Sequence, residues 1–195
     1  SGVNGDPYDN SRTYSGAAYV FRRNNGAWEY EAYLKEANPK TGVQFGFSVA
    51  VWGDTIAVGA PGSGSGKVTT FRRVGGNWTL EETLQAFRGE AGDQFGWSVS
   101  LSKNQLLVGA PGEDGGSTGI GGDQNDNSVS KSGAAYAFSR NSSGWRQKAY
   151  FKSLSPVANE SFGYSASLNG DTAVIGVPYE GSDATGVNGS PYNNR

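Results

Sequence analysis

The sequence predicts an all-β protein assembled from repeated four-stranded antiparallel units, and three observations predict it. Gly is very abundant at 31 of 195 residues, aromatics make up 12% and charged residues only 17%. That mixture suits many short strands joined by tight turns. A segment also recurs three times: QFGFSVAVWGDTIAVGAPG at 44–62, QFGWSVSLSKNQLLVGAPG at 94–112 and SFGYSASLNGDTAVIGVPY at 161–179. A second segment recurs in step: SGAAYVFRRNNGAWEYEAYLK at 15–35, SGKVTTFRRVGGNWTLEETLQ at 65–85 and SGAAYAFSRNSSGWRQKAYFK at 132–152.

The first segment reads as a hairpin. Residues 47–51 alternate large and small, and 56–58 are apolar, with β-branched Ile56 and Val58 on either side of Ala57. The pairs Gly53-Asp54, Lys103-Asn104 and Gly170-Asp171 fit two-residue turns that need positive φ. The second segment reads as strand, polar turn, then a strand that opens with Trp28, Trp78 or Trp145. Residues 81–84 have some helical character, but their counterparts at 31–34 and 148–151 read as strand, so strand is expected throughout. Each full unit thus supplies four strands, the content of one propeller blade. The Phe-Gly pairs at 45, 95 and 162 are spaced at propeller-like periods. Those phenylalanines are expected between blades, and the three tryptophans are expected as framework.

The landmarks Phe45-Gly46 with Gly59-Ala60-Pro61, Phe95-Gly96 with Gly109-Ala110-Pro111, and Phe162-Gly163 with Gly176-Val177-Pro178 resemble the FG-GAP repeat. That repeat builds the propeller head of integrin α subunits and occurs in bacterial extracellular proteins. The resemblance implies a β-propeller, a role in adhesion or ligand recognition, and placement outside the cell or on its surface. Many relatives bind calcium in a loop between the Phe-Gly and Gly-Ala-Pro strands. Here those loops, 52–54, 102–104 and 169–171, are too short to wrap an ion that takes six to eight oxygens.

Composition narrows the chemistry. Net charge is −2, which is unlike the basic stripe of a nucleic-acid binder. No apolar run is long enough for a transmembrane segment. His and Cys are absent, so Ser-His-Asp and Cys-His sites, disulfides and thiolate chemistry are excluded. Met is absent even at position 1, which reads as a processed or excised chain.

Two related loops concentrate hard oxygen ligands: Asp6, Asp9 and Asn10 in one, Asp123, Asn125, Asp126 and Asn127 in the other. They are the candidate calcium (Ca2+) ligands. The competing and preferred reading is that Asp and Asn close turns on their own backbone. The insertion 113–131, with Asp114, is the candidate contact loop, against a reading as a solvated variable loop. Tyr8 beside Asp6 and Asp9, and Tyr192 beside Asn193, have the ingredients of a sugar site. Arg22-Arg23 and Arg72-Arg73 read as edge charges that discourage aggregation.

The chain ends inside the loop with which it begins: TGVNGSPYNNR at 185–195 repeats SGVNGDPYDNSR at 1–12. The expected organisation is a second half of a blade at 1–36, complete blades at 37–87 and 88–152, and a first half of a blade at 153–195. Exposed edges then invite further copies of the chain or the rest of a longer propeller as partners. The functional expectation is an extracellular or cell-surface binding and adhesion module for a protein or glycan ligand, with no nucleic-acid partner. A lectin-like propeller is the alternative. A polysaccharide-active enzyme is the third reading, and no catalytic residues are assigned.

Overall fold

The computed structural model describes residues 1–192. Among these it contains twelve strands and no helix. β1 (Ala18–Asn24) pairs with β2 (Ala27–Leu34) as a two-stranded sheet. β3 (Ser48–Trp52), β4 (Thr55–Ala60), β5 (Lys67–Val74) and β6 (Asn77–Leu84) form one four-stranded meander. β7 (Ser98–Ser102), β8 (Gln105–Ala110), β9 (Ala134–Asn141) and β10 (Gly144–Phe151) form a second. β11 (Ser165–Asn169) and β12 (Thr172–Gly176) form another pair. The first strands β3, β7 and β11 lie beside one another, so the sheets stand radially as an open arc of a β-propeller. Residues 81–84 are strand, and Gly53, Lys103 and Gly170 take positive φ at the first position of their turns.

The Phe-Gly and Gly-Ala-Pro landmarks meet between blades. The backbone of Gly59 abuts the carbonyl of Gly96, and Gly109 abuts that of Gly163; an added Cβ would lie 2.0 and 1.9 Å from those oxygens. Ser48 and Ser98 donate their hydroxyls to the same two carbonyls at 2.8 Å. Gly16–Phe45, Gly66–Phe95 and Gly133–Phe162 form parallel bridges that tie each unit to the next. Phe45 packs edge-on against Phe71, and Phe95 against Tyr136 and Phe138, all buried.

The outer hairpins carry a recurrent β-bulge. Between Val20/Phe21, Thr70/Phe71 and Gln147/Ala149 the register slips by one, leaving Glu31, Glu81 and Lys148 without a cross-strand partner. A bulge re-aims its side chain. Glu31 reaches Arg73 of the next sheet at 2.8 Å, and Glu81 reaches Arg140 at 3.2 Å. Arg73 lies over Trp78 and Arg140 over Trp145, each 5.2 Å from the ring centre. This corrects the reading of Arg73 as an edge charge: it is an inter-blade clamp on an interior strand. Trp28 is a second correction. It is 70% exposed whereas Trp78 and Trp145 are 5% and 2% exposed, because no sheet among the described residues precedes β1–β2.

Candidate ligand-binding face

At one end of the blades, the residue after each Phe-Gly pair is aromatic: Phe47, Trp97 and Tyr164. The inter-blade glycine contact holds successive first strands close, so these rings pack in a row, tilted or edge-on to one another. Phe47 and Trp97 have ring centres 4.5 Å apart, Trp97 and Tyr164 5.4 Å, and Tyr164 and Tyr179 6.3 Å. Phe47, Tyr164 and Tyr179 are exposed and Trp97 is half-buried. The row runs across three sheets and offers π faces and edges to solvent. Sequence reasoning missed it. The signal was present as an aromatic in the same slot of three repeats, together with Tyr179 where the other copies have Gly62 and Gly112.

The insertion 113–131 leaves β8 at this same end, and it is ordered rather than loosely solvated. Gly119 accepts from Lys152 N–H at 2.8 Å and donates its N–H to Ser153 O at 3.2 Å, just past β10, and Gly121 N–H donates to Tyr150 O on β10 at 2.9 Å. Ile120 bridges Phe151. Beneath the loop lies a buried polar cluster. Glu113 accepts from Tyr150 Oη at 2.6 Å, from the Lys152 ammonium and from Gly115 N–H at 3.0 Å. Lys152 also donates to Ser132 Oγ at 2.7 Å. Burial lowers the Lys152 pKa, with the Glu113 charge opposing it, and burial followed by the bond to Glu113 raises that of Tyr150. The cluster is sealed, and it fixes the loop rather than facing a ligand.

The acid-rich loops are exposed and their carboxylates close turns. Asp6 accepts from Tyr8 N–H at 2.8 Å and Asp9 from Ser11 N–H at 3.0 Å. Asp123 accepts from Asn125 N–H at 2.9 Å, and Asp126 from Ser128 N–H at 3.0 Å and Gly116 N–H at 3.1 Å. Bonds from Ser11, Asn125 and Ser128 respectively hold Asp9, Asp123 and Asp126 below the usual carboxylate range. Asn127 donates to Glu90. No group of three or more His, Cys, Asp or Glu converges on a metal-sized site among the described residues. Asp114 accepts from Lys131 N–H at 2.6 Å and anchors the insertion. Tyr8 and Tyr192 are exposed on separate segments, and Asn193, paired with Tyr192 in the sequence reading, lies outside the described residues.

Radial antiparallel blades with an aromatic row at the loop-bearing end define a propeller-type module. The FG-GAP repeat model matches residues 28–70 and 78–138, and the chain belongs to the FG-GAP repeat family. No curated protein sequence is significantly similar to it. No helix among the described residues is long and apolar enough to cross a membrane.

Proposed function

We propose that the chain is an extracellular or cell-surface binding and adhesion module, not a catalyst, and that its ligand seats on the row Phe47–Trp97–Tyr164–Tyr179. The exposed row carries this reading: water-facing aromatic rings in register over three sheets are an interaction surface. Exposed aromatic rings suit the apolar faces of sugar rings as well as a protein patch, so a glycan ligand is the second reading. Pairing of the open edges β1 and β12, with further copies of the chain or with the rest of a longer propeller, belongs to the same proposal.

The test is binding of the 195-residue chain to a glycan panel and to protein-coated surfaces. Trp97→Ala and Tyr164→Ala should weaken any binder found by roughly tenfold or more. Undiminished binding in both variants overturns the assignment of the row.

A further inference from the structure

At the end of the blades opposite the aromatic row, where the two-residue hairpin turns lie, a groove of about 290 Å³ separates the two complete meanders. It is bounded by Trp52, Asp54 and Arg72 of the first meander and by Lys103, Asn104 and Arg140 of the second. Strand alternation puts Trp52 and Arg72 on the face turned to the second meander. Ser48, on the same face of β3 as Trp52, reaches the carbonyl of Gly96. Thr55, the cross-strand partner of Arg72, accepts from Arg140 at 3.1 Å. Both walls therefore belong to complete meanders, and the open edges β1 and β12 take no part in the groove.

Comparison of the repeats separates what a blade requires from what this groove adds. Trp52 stands where the other copies have Ser102 and Asn169, and Lys103 stands where they have Gly53 and Gly170. Arg72 matches Arg22 in the first hairpin, but the second meander folds with Ser139 at that place. The framework demands none of the three, yet all three line one groove. Lys103 takes a φ of 54°, the left-handed conformation that Gly53 and Gly170 adopt freely. A lysine there strains the turn and sets an ammonium at the mouth of the groove.

The groups on offer define a ligand chemistry. The Arg72 guanidinium and the Lys103 ammonium have no hydrogen-bond or ion-pair partner among the described residues. Arg140 is committed to its clamp, but it donates to Asn104 Oδ1 at 2.7 Å and so leaves the Asn104 amide NH2 free to donate. Asp54 gives one oxygen to Arg73 at 2.8 Å, and its other oxygen accepts nothing among the described residues. Trp52 is 46% exposed. A bare inorganic anion would use the cations, leave the ring idle and be repelled by Asp54. A neutral sugar would use the ring and Asp54 and leave two cations unpaired. A sugar ring bearing a carboxylate or a sulfate uses every group: its apolar face on Trp52, its charge on Arg72 and Lys103, and a hydroxyl donating to Asp54. We propose that this groove is a second ligand site, separate from the aromatic row, and that it takes an acidic saccharide.

The test is calorimetric titration of the 195-residue chain with oligogalacturonate, a sulfated galactan oligosaccharide and a neutral galactan oligosaccharide. At least one acidic probe should bind roughly tenfold or more tightly than the neutral one. Which of the two does so tells carboxylate from sulfate. Its binding should weaken as salt rises, since the cations lie near the surface. Trp52→Ser, Arg72→Ser and Lys103→Gly each install the residue of another repeat, so the all-β circular-dichroism spectrum should be kept. Lys103→Gly should melt no lower than the unaltered chain, because the turn is relieved. Each variant should nevertheless weaken the acidic probe by roughly tenfold. Trp52→Ser should leave the salt dependence unchanged, whereas Arg72→Ser and Lys103→Gly should reduce it, a split that a purely structural role would not give. Trp97→Ala should leave this binding intact, so the groove and the aromatic row stand or fall separately. Failure of both acidic probes to bind overturns the proposal, as does undiminished binding in the three variants. Inorganic sulfate or double-stranded DNA that binds as tightly as the acidic saccharide also overturns it.

Discussion

The carbonyl of Gly96 lies where a side chain on Gly59 would have to stand, 2.0 Å from the Cβ site. This backbone contact between blades gives the Phe-Gly and Gly-Ala-Pro landmarks their physical meaning. Both partners must be bare of side chain for first and second strands of adjoining sheets to nest, and Gly96 also takes a φ of 91°.

Gly59→Ala and Gly109→Ala should therefore each destabilise the fold by about 1–3 kcal/mol through overpacking against immovable backbone. Gly75→Asn, at an open turn with φ 58°, should be close to neutral because Asn tolerates the left-handed region. Urea unfolding of the three variants checks the ranking, and equal effects would show that the blade contact is unimportant.

Arg140 joins four groups: the Trp145 ring, the Glu81 carboxylate, the Asn104 amide oxygen at 2.7 Å and the Thr55 hydroxyl at 3.1 Å. Truncation to Ala should cost about 1–3 kcal/mol, since the pair is partly buried and the ring contact adds to it. Lys should recover only part of this, because an ammonium lacks the planar fork. A double-mutant cycle of Arg140→Ala with Glu81→Ala should show positive coupling; strict additivity would mean that the clamp contributes nothing.

Lys152→Met should be among the most damaging substitutions, about 3–5 kcal/mol, because it leaves the Glu113 carboxylate buried beside Tyr150 without its counter-charge. Adding Glu113→Gln should restore much of the loss. Thermal melts of the single and double variants decide between charge and packing as the cause.

Asp93 makes stability depend on mild acid. Burial, opposed by the Glu90 N–H bond and aided by the charges of Glu113, Asp114 and Glu90, pushes its pKa up to about 6. An unfolded Asp titrates near 3.9. Between about pH 4 and 6 the folded chain therefore holds a proton that the unfolded chain has released. This group's contribution is greatest below that window and falls as pH rises through it, by about 1–3 kcal/mol. Glu160, at the equivalent repeat position and raised by burial, acts in the same direction. Asp93→Asn should flatten the slope in denaturant midpoints measured from pH 4 to 7; an unchanged slope would locate the effect elsewhere.

Much of the architecture was legible because a close backbone contact admits only glycine, and it leaves the same letters wherever it recurs. The strand order and the two-residue hairpins followed from those letters and from alternation. The candidate site was less legible. Tyr8, Asp6 and Asp123 drew attention by composition, yet their polar atoms close local turns. Phe47, Trp97 and Tyr164 became a surface only when adjoining sheets brought three distant rings within stacking distance.

Repeat spacing, strand content and the glycine seams were determined by the sequence alone, because they depend on local geometry repeated along the chain. The fate of equivalent residues was decided by tertiary structure. Trp28 and Trp145 occupy the same place in their hairpins, as do Val49 and Val99, yet one of each pair faces water and the other is buried. Burial depends on whether a neighbouring blade covers the residue, and no residue's own segment encodes its neighbour.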